Sequence, residues 1–198
     1  MRVIAGNARG KRLKAPTGVH TRPITDMIKE ALFNVWGDDI YGSRLLDLFA
    51  GSGSVGIEAL SRGAVQVVFV DNDKNAVRTI TDNLQNCNFK EGFAIYHRDV
   101  FAALDILSRG RCRFDFIYVD PPFTVDPVFE KVMRVLGRSG LLEQDGILVI
   151  RTRRQRSLAS TFGELFKYRE KNYGESTLHY YRCLEEDRNH DGDLQDFR

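Results

Sequence analysis

An α/β fold is predicted: a mostly parallel, doubly wound sheet of seven strands, closed by an antiparallel C-terminal hairpin and preceded by a small β-ribbon. Three observations carry this. Short apolar runs alternate with segments of helical period from residue 45 to residue 151. A glycine-rich turn follows the first run, at the place where open α/β sheets bind their ligands. Two later runs, joined at Gly174-Glu175, read as a hairpin.

Residues 1–16 alternate weakly and turn at Gly6-Asn7 and Gly10, which predicts a ribbon of Arg2 to Ala5 with Arg12 to Ala15. It is too polar to hold a core alone. Pro23 keeps Arg22 extended. Thr25 or Asp26 can cap a helix that runs to about Trp36, with Met27, Ile28, Ala31, Leu32 and Val35 on its apolar face and Gly37 ending it. Leu45, Leu46 and Leu48 suit a strand covered on both faces. Further strands are expected at Gln66 to Asp71, Phe93 to His97, Phe114 to Val119 and Ile147 to Arg151. Helices are expected at Asp73 to Asn86, Val100 to Ser108 and Asp126 to Arg138, each with apolar side chains in register. Leu165 to Tyr173 and Ser176 to Cys183 form the hairpin. The chain divides into a basic arm (1–22), one α/β domain (23–183) and an acidic tail expected to lack order (184–198).

Composition narrows the class. With 42% apolar residues a sizeable core is possible, and no run of about 18 apolar residues exists to span a membrane. Cys87, Cys112 and Cys183 lack metal-ligand spacing, so no metal site is expected. With no apolar leader after Met1, a cytoplasmic protein with reduced thiols is the simplest expectation. Residues 1–22 carry Arg2, Arg9, Lys11, Arg12, Lys14 and Arg22 and no acid. The tail carries six acids against two arginines, so the +2 of the whole chain is a +6 body beside a −4 tail. A basic arm on a small domain points to a polyanionic partner. A second cluster, Arg151, Arg153, Arg154 and Arg156, follows the fifth strand and should emerge on the ligand edge to bind phosphate. Arg109, Arg111 and Arg113 precede the fourth strand and should lie at the opposite edge. The four histidines suggest no special role.

The chemistry sits at strand ends. Gly51 and Gly53 permit backbone angles that a Cβ forbids and let a ligand approach the main chain. Helical N–H groups from Ser54 onward face that ligand. A dinucleotide, a mononucleotide and S-adenosylmethionine all fit this turn. Asp71, twenty residues beyond Gly51, can accept from ribose hydroxyls or cap the next helix. Asp99 can accept from an adenine amine or cap the helix from Val100. Asp120-Pro121-Pro122-Phe123 is the sharpest feature. Two prolines remove two N–H donors and stiffen the turn. Asp120 and the Pro121 carbonyl can then accept from an exocyclic amine whose ring stacks on Phe123. Acceptors off the ring plane favour a more tetrahedral nitrogen and stabilise the charge that develops when it attacks a sulfonium methyl group.

Asp47-x-Phe49-Ala50-Gly51-Ser52-Gly53, Asp71 and Asp120-Pro121-Pro122-Phe123, in this order, resemble the S-adenosylmethionine-dependent amino-methyltransferases. Arg2 to Gly6, Arg9 to Leu13, Arg22-Pro23-x-Thr25-Asp26, Glu58 to Gly63 and the Tyr173-Gly174 hairpin extend the resemblance to the bacterial small-subunit ribosomal RNA guanine-N2 methyltransferases, over about residues 1–183. The resemblance implies a Rossmann-like class I methyltransferase fold and S-adenosyl-L-methionine as cofactor. It implies that Asp47 and the loop Phe49, Ala50, Gly51, Ser52, Gly53 hold the methionine part. Asp71, with Asn72, would bind ribose, and Asp99, with Val100, would bind adenine. Arg22 to Asp26, including Thr25, would border cofactor and substrate. Asp120, Pro121, Pro122 and Phe123 would hold the target amine, and the basic arm with Arg2, Arg9, Lys11, Arg12 and Arg22 would grip RNA, a role that the second cluster gives independently to Arg153 and Arg154. Ile24 departs from the family's usual threonine, and Asp71 stands where some relatives have glutamate. The expected partner is ribosomal RNA or a small-subunit precursor, with the protein as a monomer and no membrane or metal. A DNA adenine-N6 methyltransferase would use the same Asp-Pro-Pro chemistry but usually carries a recognition domain. An NAD-binding protein would leave that turn unexplained.

Overall fold

The computed structural model describes residues 1–16, 24–123 and 126–184. Arg22, the 124–125 stretch and the acidic tail beyond Leu184 lie outside them. Five strands, β1 (Arg44–Leu48), β2 (Gln66–Asp71), β3 (Phe93–His97), β4 (Phe114–Val119) and β5 (Leu142–Arg153), pair in parallel, and β6 (Thr161–Phe162), β7 (Leu165–Tyr173) and β8 (Ser176–Cys183) add antiparallel. The order is β3-β2-β1-β4-β5-β8-β7-β6. The sheet thus has eight strands rather than seven. The extra one is the two-residue β6, too short to read from periodicity. β5 also begins five residues earlier than expected, because Leu142 pairs with Phe114 before a register shift.

Helices α1 (Asp26–Trp36), α2 (Ser54–Ser61) and α3 (Lys74–Asn86) pack on one face, over Leu45, Val67, Phe69, Phe116 and Tyr118. Helices α4 (Val100–Arg109) and α5 (Asp126–Ser139) cover the other, over Leu46, Val68, Ile117 and Leu148. α2 is buried along its whole length. A Cβ on Gly56 would lie 2.3 Å from the Phe69 ring, so only glycine lets α2 approach the sheet this closely. Among the described residues no helix is long and apolar enough to cross a membrane, and no group of three His, Cys, Asp or Glu could hold a metal ion.

Two expectations need correction. In α1 the buried residues are Ile28, Lys29, Leu32, Phe33 and Trp36, one position round from the expected stripe, and Met27 is 57% exposed. Apart from Lys29 both stripes are apolar in sequence; the one carrying the larger Phe33 and Trp36 rings faces the sheet, because it buries more surface. The N-terminal ribbon is shorter than expected, an antiparallel bridge of Arg2 with Arg12 flanked by hydrogen bonds from the Val3 N–H to the Lys11 carbonyl and from the Leu13 N–H to the Met1 carbonyl, and it docks on the domain. Val3, Ala8 and Leu13 enter the core. The Ile4 and Ala5 N–H groups donate to the Glu58 carboxylate at 2.8 and 2.9 Å, and the Asn7 N–H donates to the Ser61 carbonyl.

Glu58 is fully buried. Besides those N–H groups it holds Lys29 Nζ at 3.2 Å and Arg62 Nε at 2.9 Å. Lys29, 1% exposed, also donates to the Arg2 carbonyl and to Ser54 Oγ. Burial lowers the Lys29 pKa, and Glu58 opposes that fall. One carboxylate therefore ties the N-terminal segment, α1 and α2. Removing one partner of such a group costs about 3–5 kcal/mol. Glu58→Ala is expected to destabilise the protein by about that much in urea unfolding, whereas Arg109→Ala, which breaks only the exposed pair with Asp105, should cost less than about 1 kcal/mol.

Candidate active site

β1 and β4 are neighbours, with Leu48 opposite Val119. The Asp120 N–H donates to the Leu48 carbonyl at 3.2 Å, so the pairing reaches into both turns. The glycine-rich turn and the Asp-Pro-Pro-Phe turn therefore leave the same edge side by side.

The first turn is held from below. Phe49 has φ +58°, unusual for a side chain with a Cβ and characteristic of functional turns. Gly51 and Gly53 follow at φ +56° and +71°. The Ala50 N–H donates to the Val70 carbonyl, and the Gly53 N–H to the Ala50 carbonyl. Asp71 accepts the Gly51 N–H at 2.8 Å on one oxygen and the Asp73 N–H at 2.9 Å on the other. Asp73, not Asp71, caps α3. A Cβ on Gly51 would meet only the Phe49 carbonyl, at 3.9 Å, so open space lies over the loop. Ser52, nearly buried, donates its hydroxyl to Met1 Sδ, and its carbonyl accepts from the Asn83 amide.

Asp47 is 2% exposed and accepts the Gly56 N–H at 3.0 Å, inside the first turn of α2. Burial pushes its pKa well up, the Gly56 N–H opposes this, and the carboxylates of Asp120 and Asp71 add to it. A buried acid with two acidic neighbours favours a cation. The open glycine loop, a helix N-terminus and that acid fit a ligand with a positive charge and a nucleoside. Asp71 keeps accepting capacity beyond its two backbone bonds, since each carboxylate oxygen takes two donors. At the β3 end, Asp99 caps α4 with one oxygen, on Phe101 and Ala102 N–H, and Val100 is buried. Asn72 is exposed, and its carbonyl lies 3.2 Å from His97 Nε2. Thr25, exposed, caps α1 through the Ile28 N–H.

The second turn holds a feature that sequence reasoning missed. The expectation that Arg151 points outward to bind phosphate is corrected here. It is 4% exposed, and its Nε donates to Asp120 Oδ1 at 2.8 Å. Tyr118, also buried, donates its hydroxyl to Asp120 Oδ2 at 3.3 Å. Burial raises the Asp120 pKa; Arg151 first, and Tyr118 second, hold it back. The signal that could have found this is alternation. Tyr118 and Asp120 lie two apart, and Arg151 lies four beyond Ile147 on the next strand, so all three share a sheet face. Pro121 is buried, while Pro122 and Phe123 are partly exposed. The Phe123 ring is not bare: the guanidinium carbons of Arg151 and Arg153 sit 5.2 and 5.8 Å from its centroid.

The basic residues divide. Arg2 pairs with Asp26 at the surface. Arg9, Lys11 and Arg12 are exposed on the docked segment, as are Arg153 at the end of β5 and Arg154 after it. Arg109, Arg111 and Arg113 stand at the opposite edge, where the Phe114 N–H meets the Leu141 carbonyl.

A family model described as conserved hypothetical protein 95 matches residues 1–182. The chain is 38% identical over 182 residues to YlbH of Bacillus subtilis (strain 168), named a putative rRNA methyltransferase, covering 92% of this chain and 98% of that one. It is 34% identical to the ribosomal RNA small subunit methyltransferase D of Haemophilus influenzae, covering 80% of this chain and 81% of that one. Among solved structures, a hypothetical protein of Thermus thermophilus superposes with a TM-score of 0.79 at 30% identity, covering 92% of this chain and 99% of that chain.

Arg151→Met tests the buried pair. It leaves Asp120 with Tyr118 alone and should cost about 3–5 kcal/mol near neutral pH. The orphaned carboxyl has a folded pKa above its unfolded one, so protonation favours the fold at low pH and that contribution is lost as pH rises. Urea unfolding should therefore show a smaller loss at low pH than at neutral pH.

Proposed function

This chain belongs to the conserved hypothetical protein 95 family, and from that membership and the geometry of the rim we propose that it transfers a methyl group from S-adenosyl-L-methionine to the exocyclic N2 amine of a guanine in small-subunit ribosomal RNA. The observation that carries the reading is the side-by-side exit of the two turns from β1 and β4, with Asp120 close enough to Asp47 that its charge raises the cost of ionising that acid. The names of the relatives favour ribosomal RNA over DNA and methyl transfer over hydride transfer.

Asp47 and the loop Phe49, Ala50, Gly51, Ser52, Gly53 would hold the methionine part of the cofactor, Asp71 and Asn72 its ribose, and Asp99 and Val100 its adenine. When bound, the cofactor supplies an electrophilic methyl group on a sulfonium. Asp120 and the Pro121 carbonyl accept the two hydrogens of the target amine. Arg151 and Tyr118 fix the Asp120 carboxylate in place, so its orientation costs nothing at the moment of reaction. Each Asp120 oxygen already holds one donor and can accept another. The carboxylate faces the nitrogen as it gains positive charge, which lowers the barrier electrostatically. Phe123 supplies a wall for the base, with Arg153 as the movable guanidinium on its face. Arg9, Lys11, Arg12 and Arg154 meet phosphate.

Tritiated S-adenosylmethionine, offered with naked ribosomal RNA, small subunits and DNA and followed by nucleoside analysis, should place label in N2-methylguanosine. Label in N6-methyladenine would replace the reading. Asp120→Asn keeps the shape and an acceptor for Arg151; it should slow transfer roughly 10²–10³-fold with the cofactor dissociation constant within a few-fold of wild type. Cofactor affinity should also rise with pH. A cationic ligand favours ionised Asp47, whose pKa in the ligand-free protein is raised, so binding at low pH must expel a proton and is weaker there. Calorimetry in buffers of different ionisation enthalpy should detect that proton, and Asp47→Asn should abolish it.

A further inference from the structure

Beyond the Asp-Pro-Pro-Phe turn, on the side away from Asp71 and Asp99, a cleft of about 440 Å³ is lined by Phe123, Phe129, Arg153, Gln155, Arg156 and Ser157. We propose that this cleft is a second nucleotide subsite, which seats the nucleotide next to the target guanine in an unstacked stretch of RNA. The inference rests on the reading above and deepens it.

Size, chemistry and place support it. The volume is within the range of small-ligand pockets. The floor is aromatic: the Phe123 and Phe129 centroids lie 6.3 Å apart with the rings tilted 35°. Arg153 sits 5.8 Å above Phe123, and Arg156 sits 4.5 Å above Phe129. Guanidinium groups over rings offer bases a surface to stack on and phosphates a charged donor. Gln155 and Ser157, both exposed, add an amide and a hydroxyl that can read a base edge. These side chains are not carried on a slack loop. The Arg154 N–H donates to the Glu175 carbonyl and the Arg156 N–H to the Arg153 carbonyl, each at 2.9 Å. Leu158, 6% exposed, anchors the far end, and its carbonyl accepts from Lys167 Nζ.

Phe123 belongs to both the turn and the cleft, so a ligand in the cleft is continuous with one at Asp120. Asp71 and Asp99 lie towards β2 and β3, across β1 from the cleft. The nucleoside of the cofactor and the neighbouring nucleotide of the substrate would thus approach the transferred methyl from opposite sides.

Inhibition of ribosomal RNA methylation by guanosine 5′-monophosphate, and by dinucleotides that extend guanosine on its 5′ or its 3′ side, tests the subsite. The monophosphate reaches only the target site. In the wild-type protein at least one dinucleotide should inhibit roughly ten-fold better than the monophosphate. In Gln155→Ala/Ser157→Ala and in Arg156→Met that advantage should shrink to about two-fold or less, with an unchanged melting temperature and unchanged cofactor affinity. The proposal is overturned if wild-type protein methylates ribosomal RNA yet no dinucleotide outdoes the monophosphate, or if the variants keep the full advantage. A wild-type protein that labels no RNA nucleoside would instead overturn the proposed function, and the subsite with it.

Discussion

The parallel pairing of β1 with β4 is the constraint on which the rim depends. Leu48 stands opposite Val119, and the Asp120 N–H continues the ladder by one more bond to the Leu48 carbonyl. That bond is where two sequence-distant turns become one surface. A slip of one residue in this register would turn one strand over and put Asp47 on the opposite face from Tyr118 and Asp120. Either Leu46 and Leu48 or Val119 would then change layers, from under α4 and α5 to under α1 to α3. The cost of moving so many buried side chains holds the register, and the register holds the chemistry.

Burial and charge are set against each other along that edge. Asp47 and Asp120 share a sheet face, and the charge on Asp120 makes Asp47 harder to ionise. They are handled differently. Asp120 receives a permanent cation, Arg151, and a hydroxyl, Tyr118. Asp47 receives one backbone N–H and the α2 N-terminus, with no side-chain cation among the described contacts. The first is set as a fixed acceptor. The second is costly to ionise, and a cationic ligand can relieve that cost. Asp71 differs again: its two backbone bonds commit it partly to bracing the glycine loop.

The N-terminal segment is built into the domain rather than appended to it. Glu58 and Lys29 fasten it to α1 and α2 from within the core. Asn83 fastens it again: its amide donates to the Lys14 and Ser52 carbonyls and its oxygen accepts the Lys14 N–H. One side chain on α3 thus joins the basic segment to the glycine loop. A hint lay in the α3 pattern, because Asn83 shares a stripe with Ala76, Ile80 and Leu84 and is a polar residue in a buried row. Lys29 sits likewise among Ile28, Leu32, Phe33 and Trp36. A lysine or asparagine on an apolar stripe is ordinarily read as its edge. Only a partner brought from elsewhere makes its burial tolerable, and that partner is not local.

The amino-acid sequence by itself determined the alternation of strands and helices, the glycine turn after Leu48, the acids at the strand ends and the proline-stiffened turn after Val119. These are local properties: side-chain period, φ restriction and missing N–H donors act within a few residues. The tertiary structure alone decided that Arg151 turns in to Asp120, that Phe123 lies under guanidinium groups, that Glu58 gathers four donors from three segments, and that the residues beyond β5 wall a cleft. Those depend on strand order and on which face of each element is buried. Contacts between residues far apart in the chain exist only once the sheet has closed.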